Sequence, residues 1–135
     1  MTDILSRKER SHRMSLIKGK NTKPELEVRR LIHRMGYRYR LHRGDLPGRP
    51  DIVFGRKRKV IFVNGCFWHG HRGCKKARFP KSRCAYWRSK IEGNKSRDAI
   101  NKRKLKALGW DYLVIWECEL KYLDLVQKRI VAFLK

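Results

Sequence analysis

Residues 64 to 74 read NGCFWHGHRGC and hold two cysteines, two histidines, a Phe-Trp pair and three glycines. Thiolate and imidazole ligands can share one borderline cation, and structural zinc takes four of them in a tetrahedron. Cys66, His71 and Cys74 supply three, in the pattern Cys-x4-His-x2-Cys. The fourth must come from elsewhere. Cys118 follows an apolar run that reads as a buried strand, where position is well fixed, and is favoured on that ground. Cys84 lies in a basic, loop-like stretch and is the competitor. The plain alternative is a pair of buried thiols and a surface histidine. His69 is left over, and imidazole moves protons near neutral pH. Phe67 and Trp68 are adjacent, so on an extended loop they would point apart. Held out by a rigid loop in a basic protein, they would stack on bases or wedge between base pairs. Otherwise they pack over the metal loop.

Two carboxylates belong to the same question. Asp51 opens the apolar run DIVF, residues 51 to 54, which faces VIFV, residues 60 to 63, across GRKRK. We read a hairpin of buried strands. A turn centred between Lys57 and Arg58 would set Asp51 opposite Asn64, at the open end beside the cysteine loop. The second carboxylate is Asp98. A long helix is expected from about Trp87 to Leu108, ended by Gly109, with an inward stripe of Trp87, Ile91, Asn94, Asp98, Asn101, Leu105 and Leu108. A carboxylate on such a stripe is costly without a partner, so Asp98 faces a site unless the helix is rotated to bring it to solvent.

The elements that must hold these groups follow from periodicity. Thr22 and Glu25 form a T-x-x-E capping box with Pro24 in the first turn. Val28, Leu31, Ile32 and Met35 then repeat at helical spacing, and Gly36 suits the stop. Tyr37, Tyr39 and Leu41 alternate with arginines as in a half-buried strand. LPGRP, residues 46 to 50, is a loop. YLVIW, residues 112 to 116, is a further buried strand, and Leu123, Val126, Gln127, Ile130 and Phe133 mark a closing helix. The order helix, strand, strand, strand, helix, strand, helix implies an α/β fold with a mixed sheet flanked by helices.

The 135 residues suit one domain, and 41% hydrophobic content excludes a disordered tail. Lysine and arginine number 36 against 12 aspartates and glutamates, a net charge of +24. So large a surplus repels itself unless a polyanion shares it, which points to nucleic acid. The basic residues are spread along the chain, so an anionic membrane is the poorer partner. No apolar run approaches the roughly 20 residues of a membrane span, and MTDILSRKERSHRM lacks the apolar stretch of a secretory leader. An intracellular protein is expected, whose four cysteines are metal ligands or free thiols. Residues 1–20 read as a basic arm or helix, and 21–135 as the main domain.

Together these residues resemble the very short patch repair endonucleases, which nick DNA at T·G mismatches. The likeness spans roughly residues 10 to 120 and rests on five signatures in order: TKPELEVRRL, LPGRPDIVF, NGCFWHGHRGC, WRSKIEGNKSRD and GWDYLVIWEC. It implies a restriction-endonuclease-like core and a structural zinc on Cys66, His71, Cys74 and Cys118. It also implies catalytic Mg²⁺ at Asp51 and the backbone carbonyl of Val63. In the catalytic set are Asp51, His69, Asp98, Glu25 and Asn64: His69 handles the proton of the water, Asp98 orients His69, and Asn64 stands where some members carry a histidine near the scissile phosphate. The strand VIFVN has neither the acidic residue nor the lysine of the common nuclease pattern. Phe67, Trp68 and Trp87 resemble the family's wedge. Lys90, Asn94 and Arg97 fall in its DNA-contacting pattern, and Met14 on the segment that approaches the other groove. The activity implied is a Mg²⁺-dependent single-strand break on the thymine strand of a T·G mismatch, starting short-patch repair. The expected setting is a cytoplasmic, DNA-associated protein of a bacterium or archaeon, acting as a monomer with mismatch-repair proteins as partners. The runner-up readings are a zinc-stabilised, non-catalytic nucleic-acid-binding protein and a related nuclease for other DNA structures.

Overall fold

The computed structural model describes residues 22–77 and 83–135. The expected arm at 1–20, with Met14, lies outside the described residues.

Helix α1, Lys23–Arg34, starts where expected: the Thr22 side chain accepts from the Glu25 N–H at 3.4 Å and Pro24 sits in the first turn. The Glu25 carboxylate turns inward to other partners, described below, so the expected capping box is a one-sided account of it. Gly36 follows at φ 89°, a left-handed position that glycine adopts without strain. Strands β1 (Arg40–Leu41), β2 (Ile52–Phe54), β3 (Lys59–Asn64) and β4 (Asp111–Trp116) form one sheet in the order β1-β2-β3-β4. The β1–β2 and β2–β3 pairs are antiparallel and β3–β4 is parallel. A parallel pair needs a crossover, and α2, Cys84–Ala107, lies in that connection. Helix α3, Leu123–Leu134, closes the chain. No described helix is long and apolar enough to cross a membrane.

Side chains alternate along each strand, so the sheet has two covered faces. Ile52, Phe54, Ile61, Val63 and Ile115 pack with α1 and α3 through Val28, Leu31, Ile32, Val126, Ile130 and Leu134. Val53 and Val60 pack with Leu46, Leu105 of α2 and Trp110.

Four expectations are corrected here. The hairpin pairs Ile52 with Ile61, Val53 with Val60 and Phe54 with Lys59, two residues away from the expected register. Its turn is Gly55 to Arg58, closed by the Arg58 N–H to the Gly55 carbonyl at 3.2 Å with Arg58 at φ 54°. Asp51 is therefore level with Phe62, not Asn64. The strand expected over Tyr37–Leu41 pairs only at Arg40–Leu41, because His42 breaks it at φ 49°. Helix α2 begins at Cys84, and its stripe ends at Leu105: Leu108 is its C-cap and 54% exposed. In α3 the buried positions are Val126, Ile130 and Leu134, while Leu123 and Gln127 are exposed.

Candidate active site and metal centre

The loop after β3 is folded by overlapping turns. His69 N–H reaches the Gly65 carbonyl at 3.2 Å, His71 N–H the Cys66 carbonyl at 2.9 Å, and Cys74 N–H the His71 carbonyl at 3.3 Å. Gly70, at φ 61°, lies flat against α2: a Cβ there would stand 2.7 Å from Ile91 Cγ2. Asn94 of α2 donates from its amide to the Trp68 carbonyl at 2.8 Å, and Arg97 in turn donates to Asn94 Oδ1. The polar middle of the α2 stripe thus holds the loop.

At the back of the loop Cys66, His71, Cys74 and Cys118 bring their ligand atoms within 4.8 Å of one another. His71 Nδ1 lies 3.6 Å from Cys66 Sγ and 3.3 Å from Cys118 Sγ. Zinc bonds of about 2.3 Å to sulfur and about 2.0 Å to nitrogen give tetrahedral edges of roughly 3.5 to 3.8 Å, so this set fits the ion. Burial pushes the Cys66 thiol up to about 12 and raises that of Cys118; a cation is what would hold them as thiolates. Cys84 starts α2 and is not in this group. The indole of Trp116 stacks on His71, 4.1 Å between centroids and 9° between planes.

At the front, His69 Nδ1 lies 2.7 Å from Asp98 Oδ2. Both side chains are about one-third exposed. Asp51 Oδ2 accepts from the Val63 N–H at 2.7 Å. Burial, aided by Glu25, raises the Asp51 carboxyl to about 7 against the lowering pull of that N–H and of His69. Glu25, Asp51 and His42 form a second group with ligand atoms within 4.8 Å of one another. Asn64 is buried at the end of β3. His42 and Trp116 escaped the sequence reading. His42 lies between two recognisable motifs without belonging to either, and Trp116 reads as one more apolar strand residue.

Beside this site Phe67, Trp68 and Trp87 form an edge-to-face trio with centroid separations of 5.3, 5.4 and 5.8 Å. All three are half-buried, and Tyr86, 46% exposed, leans on Trp87. Lys90 Nζ sits 5.8 Å from the Tyr86 ring centre. The site thus has one buried and one half-buried carboxylate, a His-Asp pair, an aromatic cluster and basic side chains on adjoining elements.

The family model for DNA mismatch endonuclease Vsr matches residues 2–76. The chain is 52% identical over 130 residues to the type II nicking enzyme V.XorIIP of Xanthomonas oryzae, covering 96% of this chain and 95% of that one. It is 42% identical to the type II nicking enzyme V.NmeAIP of Neisseria meningitidis, covering 96% and 92%. It is 38% identical to the DNA mismatch endonuclease Vsr of Escherichia coli, covering 90% and 77%. Among solved structures, the catalytic domain of the homing endonuclease I-Bth0305I shares the fold at a TM-score of 0.60 and 24% identity, covering 84% of this chain and 94% of that one. A family model over residues 2–76, relatives 38 to 52% identical over most of the chain and an endonuclease fold make this chain a member of the Vsr family of DNA mismatch endonucleases, an enzyme that hydrolyses DNA.

Proposed function

We propose that the protein nicks the thymine-bearing strand of a T·G mismatch in double-stranded DNA and so starts short-patch repair. The observation that carries this reading is the make-up of one loop. Residues 65 to 74 hold the aromatic pair Phe67–Trp68, the His69 that pairs with Asp98, and three of the four clustered metal ligands. A base pair displaced by the aromatics would therefore sit at a set distance from the histidine.

Asp51 and the Val63 carbonyl would hold Mg²⁺. In a strand, a residue's N–H and C=O face the same edge. Val63 gives its N–H to Asp51 and so turns its carbonyl to that side. When bound, the ion supplies Lewis-acid stabilisation of charge on the phosphate. His69 takes the proton of the attacking water at Nε2, because Nδ1 is engaged by Asp98, and Asp98 steadies the imidazolium that forms. Glu25 backs Asp51 in the same group, and Asn64 borders it. Phe67 and Trp68, with Trp87 behind them, wedge beside the mismatch. A T·G pair is already imperfect, so unstacking it costs less than unstacking a matched pair. Lys90 and Arg97 add positive charge beside the phosphates, while Asn94 fixes the wedge loop. Zinc on Cys66, His71, Cys74 and Cys118 makes that loop rigid. Residues 1–20, including Met14, would lie as a basic arm in the other groove, ahead of an endonuclease domain at 21–135. The chain would act as a cytoplasmic monomer, alongside mismatch-repair proteins.

The test is a panel of end-labelled matched, T·G and other mismatched duplexes with Mg²⁺, each strand labelled in turn. A single break confined to the thymine strand of the T·G duplex is expected. Equal cutting of matched duplex would overturn the mismatch assignment. Binding without any cleavage by the zinc-loaded protein would favour a non-catalytic role.

A further inference from the structure

Glu25 of α1 and Asp51, just ahead of β2, lie far apart in sequence, yet their carboxylates come within 4.8 Å of one another, Glu25 buried and Asp51 half-buried. Glu25 is 1% exposed. Two opposed carboxylates in such a place need a cation or a proton between them. A third group reaches the same point. His42 Nε2 lies 2.7 Å from Glu25 Oε2, which Arg29 Nη1 also approaches at 3.4 Å. The His42 N–H donates to the Asp51 carbonyl at 3.2 Å, so the residue is tied to Asp51 through the backbone as well. His42 is also held at φ 49°. A side chain with a Cβ is strained in that conformation, and such strain gathers at functional sites.

We propose that Glu25, His42 and Asp51 form one cation site in which His42 supplies a nitrogen ligand, so that the nuclease centre takes Mn²⁺ more tightly than Mg²⁺. This rests on the reading of Asp51 as a metal ligand and adds a third residue to it. At bonds of about 2.1 Å, octahedral ligands stand about 3 Å apart when adjacent and about 4.2 Å when opposite. The three ligand atoms lie within 4.8 Å of one another, so shifts of a few tenths of an ångström would close them on one ion. Ligation takes the imidazole tautomer with its hydrogen on Nδ1, which frees the Nε2 lone pair. Mg²⁺ is the hardest of the candidates and gains least from nitrogen, whereas first-row divalent cations accept a mixed carboxylate–imidazole set.

The experiment uses the full chain with its cysteine cluster filled by equimolar Zn²⁺ and titrated with Mn²⁺. Electron spin-echo modulation of the bound Mn²⁺ should show a directly bound imidazole nitrogen. That signal should persist in His69→Ala and vanish in His42→Gln, which should also bind Mn²⁺ about tenfold or more weakly. Circular dichroism and zinc content check that His42→Gln is folded; if it is not, the wild-type and His69→Ala spectra decide alone. No nitrogen coupling in the wild type, or coupling that survives in folded His42→Gln, overturns the proposal. Nicking of T·G duplexes with Mg²⁺ is read on the same samples. Nicking without nitrogen coupling rejects the His42 ligand and leaves the nuclease reading standing. Nitrogen coupling without nicking rejects the mismatch reading and keeps the cation site.

Discussion

At the scale of single residues, Asp51 has a measurable signature. Its carboxyl is raised to about 7 by burial and by Glu25, against about 3.9 in an unfolded chain. Between those values the folded protein holds the proton more tightly than the unfolded chain. This group's stabilising contribution is thus full below about pH 4 and lost as pH rises through about 7. Asp51→Asn removes that slope and keeps an oxygen for the Val63 N–H. The metal-free variant should be more stable than wild type at pH 8, by on the order of 1 to 3 kcal/mol, and no more stable at pH 4. Urea melts at the two pH values check this; a variant that is weaker at pH 8 would show that burial is not what raises the group. The same variant should lose most nicking while still binding DNA. His69→Ala should lose nicking by roughly a hundredfold or more. Asp98→Asn should lose less, since it removes the partner that orients the base and leaves the base in place. Single-turnover rates separate the three. Trp68→Ala should lower discrimination between T·G and matched duplexes while much of the charge-driven binding remains; an unchanged preference would mean that the aromatic trio only packs.

At the scale of elements, α2 is the platform of the site. Its Ile91 and Leu105 are buried, and between them Asn94 and Asp98 reach the loop through Trp68 and His69. The helix can do this only because Gly70 lets the loop lie close, with a left-handed φ and no Cβ to meet Ile91. Gly70→Ala should therefore strain the backbone and overpack the contact together, costing roughly 1 to 3 kcal/mol. The loop would lift from α2, the His69–Asp98 pair would lengthen, and nicking should fall more than DNA binding does. Full activity in Gly70→Ala would show that the loop does not depend on that close contact.

At the scale of the molecule, the cysteine cluster joins parts that the chain holds far apart. Cys118 follows β4, whereas Cys66, His71 and Cys74 follow β3. A metal there would link the ends of the two parallel strands and hold the loop of residues 65 to 74 with them. Cys118→Ala should lose zinc and lower the melting temperature by about 10 °C or more, since structural metal binding adds to folding free energy. Cys84→Ser should do neither. Zinc retained in Cys118→Ala and lost in Cys84→Ser would reverse the assignment. The net charge of +24 belongs to the same scale. Binding to matched and mismatched duplex alike should fall about a thousandfold or more between 50 and 200 mM salt, because phosphate contacts release counterions.

The sequence by itself determined the kinds and order of the elements, because hydrophobic period is a local property that survives in the fold. It also determined the candidate metal loop, where three of the four clustered side chains crowd into eleven positions, and the polar interruption of the α2 stripe at Asn94 and Asp98. Cys118 could be favoured over Cys84 because a strand end is a better-defined place than a basic loop. Only the tertiary structure decided what depends on turns and distant packing. One left-handed residue, Arg58, sets the hairpin register and moves Asp51 from the level of Asn64 to that of Phe62. Another, His42, ends β1 and brings an imidazole to Glu25, 17 positions away along the chain. Trp116 meets His71 only once β3 and β4 lie side by side. Period tells which face a side chain takes, but a turn conformation of a few degrees of freedom decides what stands opposite it.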